Sequence, residues 1–223
     1  MENAFYSDFD LERAEPVEPK PQEVRSAFQV DRDRIVFSYA FRRLQSKTQV
    51  FQSGEFDFYR TRLTHTIEVA KIARSITNYL NRVSAALSEG FQIDEDLVEA
   101  IGLAHDLGHP PFGHIGERKL NALMAPHGGF EGNAQTLRIL TRLFYTRPDG
   151  SKGMNPTRAL IDGVLKYKSL QNDGASGGAR YPEHHFLYNE DTIWLDFALG
   201  SQTGKIREFC KSQSGELNRF RSL

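Results

Sequence analysis

The sequence predicts an all-α domain, and three observations carry that expectation. Apolar residues recur at helical spacing in several long stretches. No apolar–polar alternation lasts more than a few residues. The stretches are separated by Gly, Pro, Ser and Asn. The first stretch starts near Ser26, where Phe28, Ile35, Val36, Tyr39, Phe41 and Leu44 predict a helix across residues 26–50 with Arg42, Arg43 and Gln45 on its polar face. Gln52, Ser53, Gly54 and Glu55 interrupt it. Ile67, Ala70, Ala73, Ile76 and Leu80 then predict a helix over 64–83, with His65 in its first turn. Asp94 is a suitable N-cap for a helix over 95–107, whose stripe is Leu97, Ala100, Ile101 and Ala104 and whose end is set by Gly108, Pro110 and Pro111. Further helices are expected over 115–124, 130–145 and 155–165. A polar, Gly-rich loop comes next at 168–180, then a short helix over 191–199. No internal repeat is present.

At 223 residues the chain is long enough to bury a core without disulfides or metal staples, and one domain is expected. Composition divides it into three regions. Residues 1–25 contain three prolines and alternating acids without apolar periodicity, which predicts a disordered lead-in; residues 26–200 form the core domain; residues 201–223 are an irregular tail. No apolar run approaches the roughly 20 residues a membrane helix needs, and the first ten residues lack the basic start of a secretory signal, so a cytoplasmic location is expected. A formal charge of -1 gives no global attraction for nucleic acid. Locally, the acidic lead-in is followed by an arginine-rich block reaching Arg74, which suits either a polyanionic small ligand or a solvated helix face. The single cysteine, Cys210, excludes internal disulfides and thiolate-rich metal sites, so any metal must rest on histidine and carboxylate.

The densest chemistry lies in AHDLGHPPFGHIGE, residues 104–117, with three histidines and two carboxylates. His105 and Asp106 are adjacent and would diverge by about 100° within a helix, so they meet one ion only at a helix end, which Gly108 supplies. A neutral imidazole with a carboxylate suits a divalent ion whose protein shell leaves room for water and substrate oxygen. His65 is the natural third ligand. His114 and Glu117 stand three apart, so on one helix face the carboxylate can fix the imidazole tautomer for proton transfer; alternatively Glu117 is a first-turn glutamate favoured by the helix dipole. Arg62, one turn before His65, can grip phosphate oxygens or pair with Asp57 or Glu68.

Taken together, RTRLTH around His65, the AHDLGHPPFGHIGE run, the GGFEGNAQTLRIL segment over 128–140 and the RDRIVFSYAFRRLQSKTQVF segment resemble the HD-domain deoxynucleotide triphosphohydrolases, the dGTPase-like family. The resemblance spans roughly residues 28–200. It implies an HD-domain helical bundle that assembles as a homo-oligomer. It further implies hydrolysis of deoxynucleoside triphosphates to deoxynucleoside and tripolyphosphate, with a divalent metal, Mg²⁺ or Mn²⁺, held by two histidines and two aspartates. By resemblance His65, His105 and Asp106 are metal ligands, and His114 with Glu117 serves proton transfer. Arg62 and His109 contact phosphates, Gln49 lies near the sugar and base, and Glu131 and Asn133 line the same pocket. Other HD-type phosphodiesterases and nucleotidases share the metal cluster but not the GHPPFGH-x2-E run.

One departure stands against this pattern. The family's fourth ligand is an aspartate in a later segment, and none of the 223 residues matches it; Asp191 and Asp196 resemble the stretch that precedes it. The resemblance thus implies a C-terminally truncated chain. It leaves open an impaired member acting as a nucleotide-binding or oligomerisation fragment.

Overall fold

The computed structural model describes residues 3–18, 21–47, 60–146, 150, 152–171 and 185–200. Among them all regular structure is helical, and strand-like pairing is limited to isolated bridges such as Leu170 with Leu187. Nine α-helices succeed one another among these residues: α1 Asp8–Leu11, α2 Ala27–Phe37, α3 Tyr39–Arg43, α4 Arg62–Val83, α5 Glu95–Ala104, α6 Gly113–Leu123, α7 Gly132–Arg138, α8 Arg158–Val164 and α9 Thr192–Leu199.

Most boundaries have a cap that the sequence carries. Ser26 accepts from the Gln29 amide at the start of α2, Thr61 from the Thr64 amide at α4, and Asp94 from the Asp96 and Leu97 amides at α5. The helix expected over 26–50 is broken at Ser38. This residue adopts an extended conformation, closes α2 and caps α3 through its hydroxyl on the Phe41 amide, a competition between side chain and ladder that apolar spacing does not reveal. The helix expected over 130–145 likewise changes character: α7 ends at Arg138 and a wider π-type turn runs from Ile139 to Leu143.

The lead-in expected to be disordered differs most. Residues 3–18 contain α1 and lie against the domain, where Tyr6 packs edge-on to Phe28 and Arg13 pairs with the fully buried Asp31. Residues 48–59, 172–184 and 201–223, which include Gln49, most of the Gly-rich loop and the tail, lie outside the described residues.

Two apolar clusters hold the bundle. One joins Phe28, Ile35, Ala70, Ala100, Leu103 and Ala104 of α2, α4 and α5 with Leu44, just past α3; the other joins Leu137, Ile161, Leu195 and Ala198 of α7, α8 and α9 with Leu187 from the segment before α9. Gly102 sets the spacing of α4 and α5, because a Cβ there would stand 2.7 Å from the Ala70 Cα. That close approach places His65, five residues before Ala70, opposite His105, three residues after Gly102. On the solvent side the same pair is laced by Arg74 to Asp96 and Glu99 at 2.6 and 2.8 Å.

Candidate functional site

α5 ends at Ala104, and the next residues turn sharply, so the adjacent His105 and Asp106 face one point where a continuing helix would separate them. His65 arrives from the first turn of α4. Its ring lies 5.5 Å from the His105 ring, and one ligand atom from each of His65, His105 and Asp106 fits within 4.8 Å. The His105 Nδ1–H donates to the Gly102 carbonyl at 2.7 Å, which orients the ring and leaves Nε2 as the nitrogen available to a ligand. Burial, helped by His105 and nearby arginines, pushes the His65 imidazole below its ordinary value against the pull of Asp106, which favours its neutral form. Two imidazoles and a carboxylate form a donor set for a borderline divalent ion.

The turn is held by Gly108. Its amide donates to the Thr136 hydroxyl at 3.0 Å, and a Cβ there would stand 2.3 Å from both the Gly132 carbonyl oxygen and the Thr136 amide nitrogen. α7 therefore rests directly on the His-Asp turn. Two successive left-handed residues, Phe112 at φ 63° and Gly113 at φ 62°, then start α6 so that His114 and Glu117 share its first turn. The His114 Nδ1–H donates to Glu117 at 3.1 Å, and the Gly132 amide donates to the other carboxylate oxygen at 2.8 Å. Burial alone would raise the Glu117 carboxyl, but these two hydrogen bonds together with the nearby His109 and His114 outweigh it and hold the group below its ordinary value. His114 is exposed, with its Nε2 unengaged by any described partner.

His65, His105, Asp106, His109, His114, Glu117 and Arg62 line one cavity of about 950 Å³ together with Glu131 and Asn133, so the structure gathers every described member of the expected set. Two of them sit differently from the simplest expectation. Arg62 is buried, and its guanidinium meets Asp106 at 2.9 Å; Glu68 is taken by Arg60, and Asp57 lies outside the described residues. The Arg62 Nε is buried without a partner, so the nitrogen left for a ligand is the second terminal one, which faces Gly113. His109 donates through Nδ1 to the Pro110 carbonyl at 3.1 Å, and burial lowers its basicity, while Lys47 grips the His109 carbonyl at 2.8 Å. Glu131 doubles as the N-cap of α7, accepting from the Ala134 amide at 2.7 Å.

Sequence reasoning missed the opposite wall. Lys166, Tyr167 and His185 line the same cavity, with the Tyr167 and His185 rings stacked at 4.1 Å. They lie just beyond α8 and the Gly-rich loop, where no helical spacing marks them. Asp191, which the sequence pattern does not promote to a ligand, is fully buried and paired with Arg138 at 2.8 Å and with Arg142.

With this geometry in view, comparison with known proteins finds a matching family model and several similar chains. Residues 62–162 match the HD domain, and they contain His65, His105 and Asp106. Over those residues the chain is similar to the HD domain family. The chain is also similar to deoxyguanosinetriphosphate triphosphohydrolase-like proteins. The relative from Rhodopseudomonas palustris (strain HaA2) is 49% identical over 181 residues, which is 81% of this chain and 41% of the relative. One from Bradyrhizobium sp. (strain ORS 278) is 48% identical over 92% of this chain and 49% of the relative. The like-protein 2 of Deinococcus radiodurans is 46% identical over 84% of this chain and 46% of the relative. The chain thus spans less than half the length of these curated relatives. Among the described residues, no helix is long and apolar enough to cross a membrane.

Proposed function

We propose that this HD domain serves the metal-dependent hydrolysis of a deoxynucleoside triphosphate, of dGTP type, to deoxynucleoside and tripolyphosphate. The observation that carries the reading is the convergence of His65, His105 and Asp106 within 4.8 Å on a cavity whose rim holds the His114–Glu117 pair. The cavity, at about 950 Å³, has room for a nucleotide triphosphate. The relatives' names supply the substrate class. The resemblance further supports a cytoplasmic homo-oligomer.

His65, His105 and Asp106 would hold the divalent ion, Mg²⁺ or Mn²⁺, which when bound supplies positive charge for phosphate oxygens and acidifies water. The residues of the chain do the rest. The free terminal nitrogen of Arg62 faces the phosphates, and Lys166 adds a second cation from the other wall. His109 donates to phosphate only through a protonated Nε2, since Nδ1 is committed to Pro110; the triphosphate's own negative charge favours that proton. Water adds to the α-phosphorus as the bond from phosphorus to the 5′ oxygen breaks, and a proton reaches the departing oxygen. His114 exchanges that proton at Nε2 while Glu117 holds Nδ1–H and stabilises the imidazolium. Gln49, near the sugar and base by resemblance, remains part of the proposal.

The test is incubation of the purified chain with dGTP and Mg²⁺ or Mn²⁺, separating deoxyguanosine plus tripolyphosphate from dGMP plus pyrophosphate, with His105→Ala as control. Tripolyphosphate that disappears in the control supports the reading. Pyrophosphate overturns the reaction, and absence of turnover in folded protein points to a binding or oligomerisation role.

A further inference from the structure

The segment over residues 3–18 makes more specific contacts than a surface lead-in needs: residues 3–6 bind residues 90–94 ahead of α5, and residues 9–15 converge on the entry to α8. Arg13 donates to the Asp31 carboxylate at 2.6 Å, to the Asn155 carbonyl at 2.5 Å and to the Ala27 carbonyl at 3.1 Å. The other Asp31 oxygen accepts from the amide of Thr157, the N-cap of α8, at 2.8 Å. Asn155, in a left-handed conformation at φ 49°, clasps the Glu15 backbone in both directions at 3.1 and 2.8 Å. At the first residue of α8, Arg158 is sandwiched between the Phe9 and Phe197 rings at 3.9 and 4.0 Å. Its backbone amide donates to the Glu12 carbonyl and its side chain to the Phe9 carbonyl.

α8 matters because it leads into the cavity. Its C-terminal end, at Gly163 and Val164, and the next residues Lys166 and Tyr167 line the same cavity as the His-Asp cluster. The cluster itself is carried by α4 and α5, which the 3–18 segment reaches only near the start of α5, where the Asp94 amide donates to the Tyr6 hydroxyl. Asp31 is fully buried and Arg13 nearly so, which makes their pair unlike an exposed ion pair in worth; removing one member strands a buried charge. Leu160 and Ile161 still bury α8 in the two apolar clusters without the strap.

We infer that Arg13 is a positioning residue. Through Asp31 and Asn155 it clamps the N-terminus of α8, so that the 3–18 strap fixes the cavity wall at Lys166 and Tyr167 independently of the metal-ligand cluster. The consequence for ligand binding rests on the nucleotide reading above; the mechanical consequence does not.

The test uses the full chain with Arg13→Met and the gentler Arg13→Lys, followed by hydrogen exchange, Mn²⁺ titration and dGTP titration in the presence of Mn²⁺. Exchange of amides over 157–167 is expected to accelerate about tenfold or more in Arg13→Met, with α4 and α5 unchanged. Mn²⁺ affinity stays within about twofold while dGTP binds about fivefold or more weakly, and Arg13→Lys, which keeps the charge but not the fork, falls between. The inference is overturned by unchanged exchange over 157–167, by acceleration spread equally over α4 and α5 in both variants, or by Mn²⁺ and dGTP weakening together. If the unmodified chain binds no dGTP, the proposed function fails, and the exchange pattern alone decides the strap.

Discussion

Replacing Arg62 by Met separates two roles that the structure gives the same side chain. The Arg62 and Asp106 side chains are 7% and 12% exposed, and their 2.9 Å pair is nearly as enclosed as a core contact. Removing one member of a buried pair costs about 3–5 kcal/mol, and the lower end applies here because the carboxylate borders an open cavity. For a chain of this size each kcal/mol shifts the melting temperature by about 2–4 °C, so the metal-free variant should melt about 6–12 °C below the parent. Metal reverses the order of effects. The 2.9 Å hydrogen bond plus a metal–oxygen bond of about 2.1 Å would place a divalent ion about 5 Å from the guanidinium. Even at the dielectric constant of water, the repulsion of charges +2 and +1 over that distance is about 1.7 kcal/mol. Losing it should tighten Mn²⁺ binding on the order of tenfold or more. Thermal melts in chelator and in saturating Mn²⁺, with calorimetric titration, measure both quantities. An equal melting deficit with and without Mn²⁺, or weaker Mn²⁺ binding by the variant, would refute the view that Arg62 stands in for the ion's charge on Asp106.

Three other contacts have measurable consequences. Gly108→Ala must push Cβ against the Gly132 carbonyl and Thr136 amide, both backbone atoms 2.3 Å away, so a loss of at least about 1–3 kcal/mol in urea unfolding is expected, together with weaker Mn²⁺ binding as α7 moves off the turn. Asp191→Asn deletes charge from a fully buried group shared by Arg138 and Arg142; it should lower stability by about 3 kcal/mol yet leave Mn²⁺ affinity unchanged, and a large loss of affinity would show Asp191 to be a ligand after all. Glu117 has a folded-state pKa held below its ordinary value. Its contribution is therefore present above that ordinary value and lost as pH falls through the depressed one. Glu117→Gln should flatten the acid limb of a urea-midpoint profile below the ordinary carboxylate range, by well under about 1 kcal/mol because its His114 partner is exposed; an unchanged limb would contradict the ion-pair role.

Much of the fold was legible because its long helices bury one face and carry their own caps. α4 needed only apolar spacing and α5 apolar spacing with the Asp94 signal, and both appear within a few residues of the expected ranges. The break at Ser38 was hidden because a serine satisfies helix spacing and capping equally well until its hydroxyl finds the Phe41 amide. The contacts of the lead-in were hidden for a different reason. Proline and acid content describe how poorly residues 3–18 could build a core of their own, whereas their order comes from Arg13 and Glu15 meeting residues about 140 positions away. Composition is silent about that kind of contact.

The candidate site divides along the same line. Residues 105–117 were readable because the turn that aims His105 and Asp106 together, and the turn that starts α6, are both written locally in Gly, Pro and His. What those residues do depends on partners the local run does not name. Arg62, 44 positions before Asp106, becomes a partner of the carboxylate before it becomes a phosphate ligand. Glu117 gains a donor from Gly132, and Gly108 becomes indispensable only because α7 lies on it. Lys166 and Tyr167 line the cavity just beyond α8, whose entry is held by Asp31 and whose body is held by Leu160 and Ile161 in the two apolar clusters. The motif thus fixes which atoms can touch an ion, while the distant contacts fix its charge balance and the shape of the space beside it. Substitutions in the motif should therefore act first on metal binding, and substitutions at Arg13 first on what binds beside the metal.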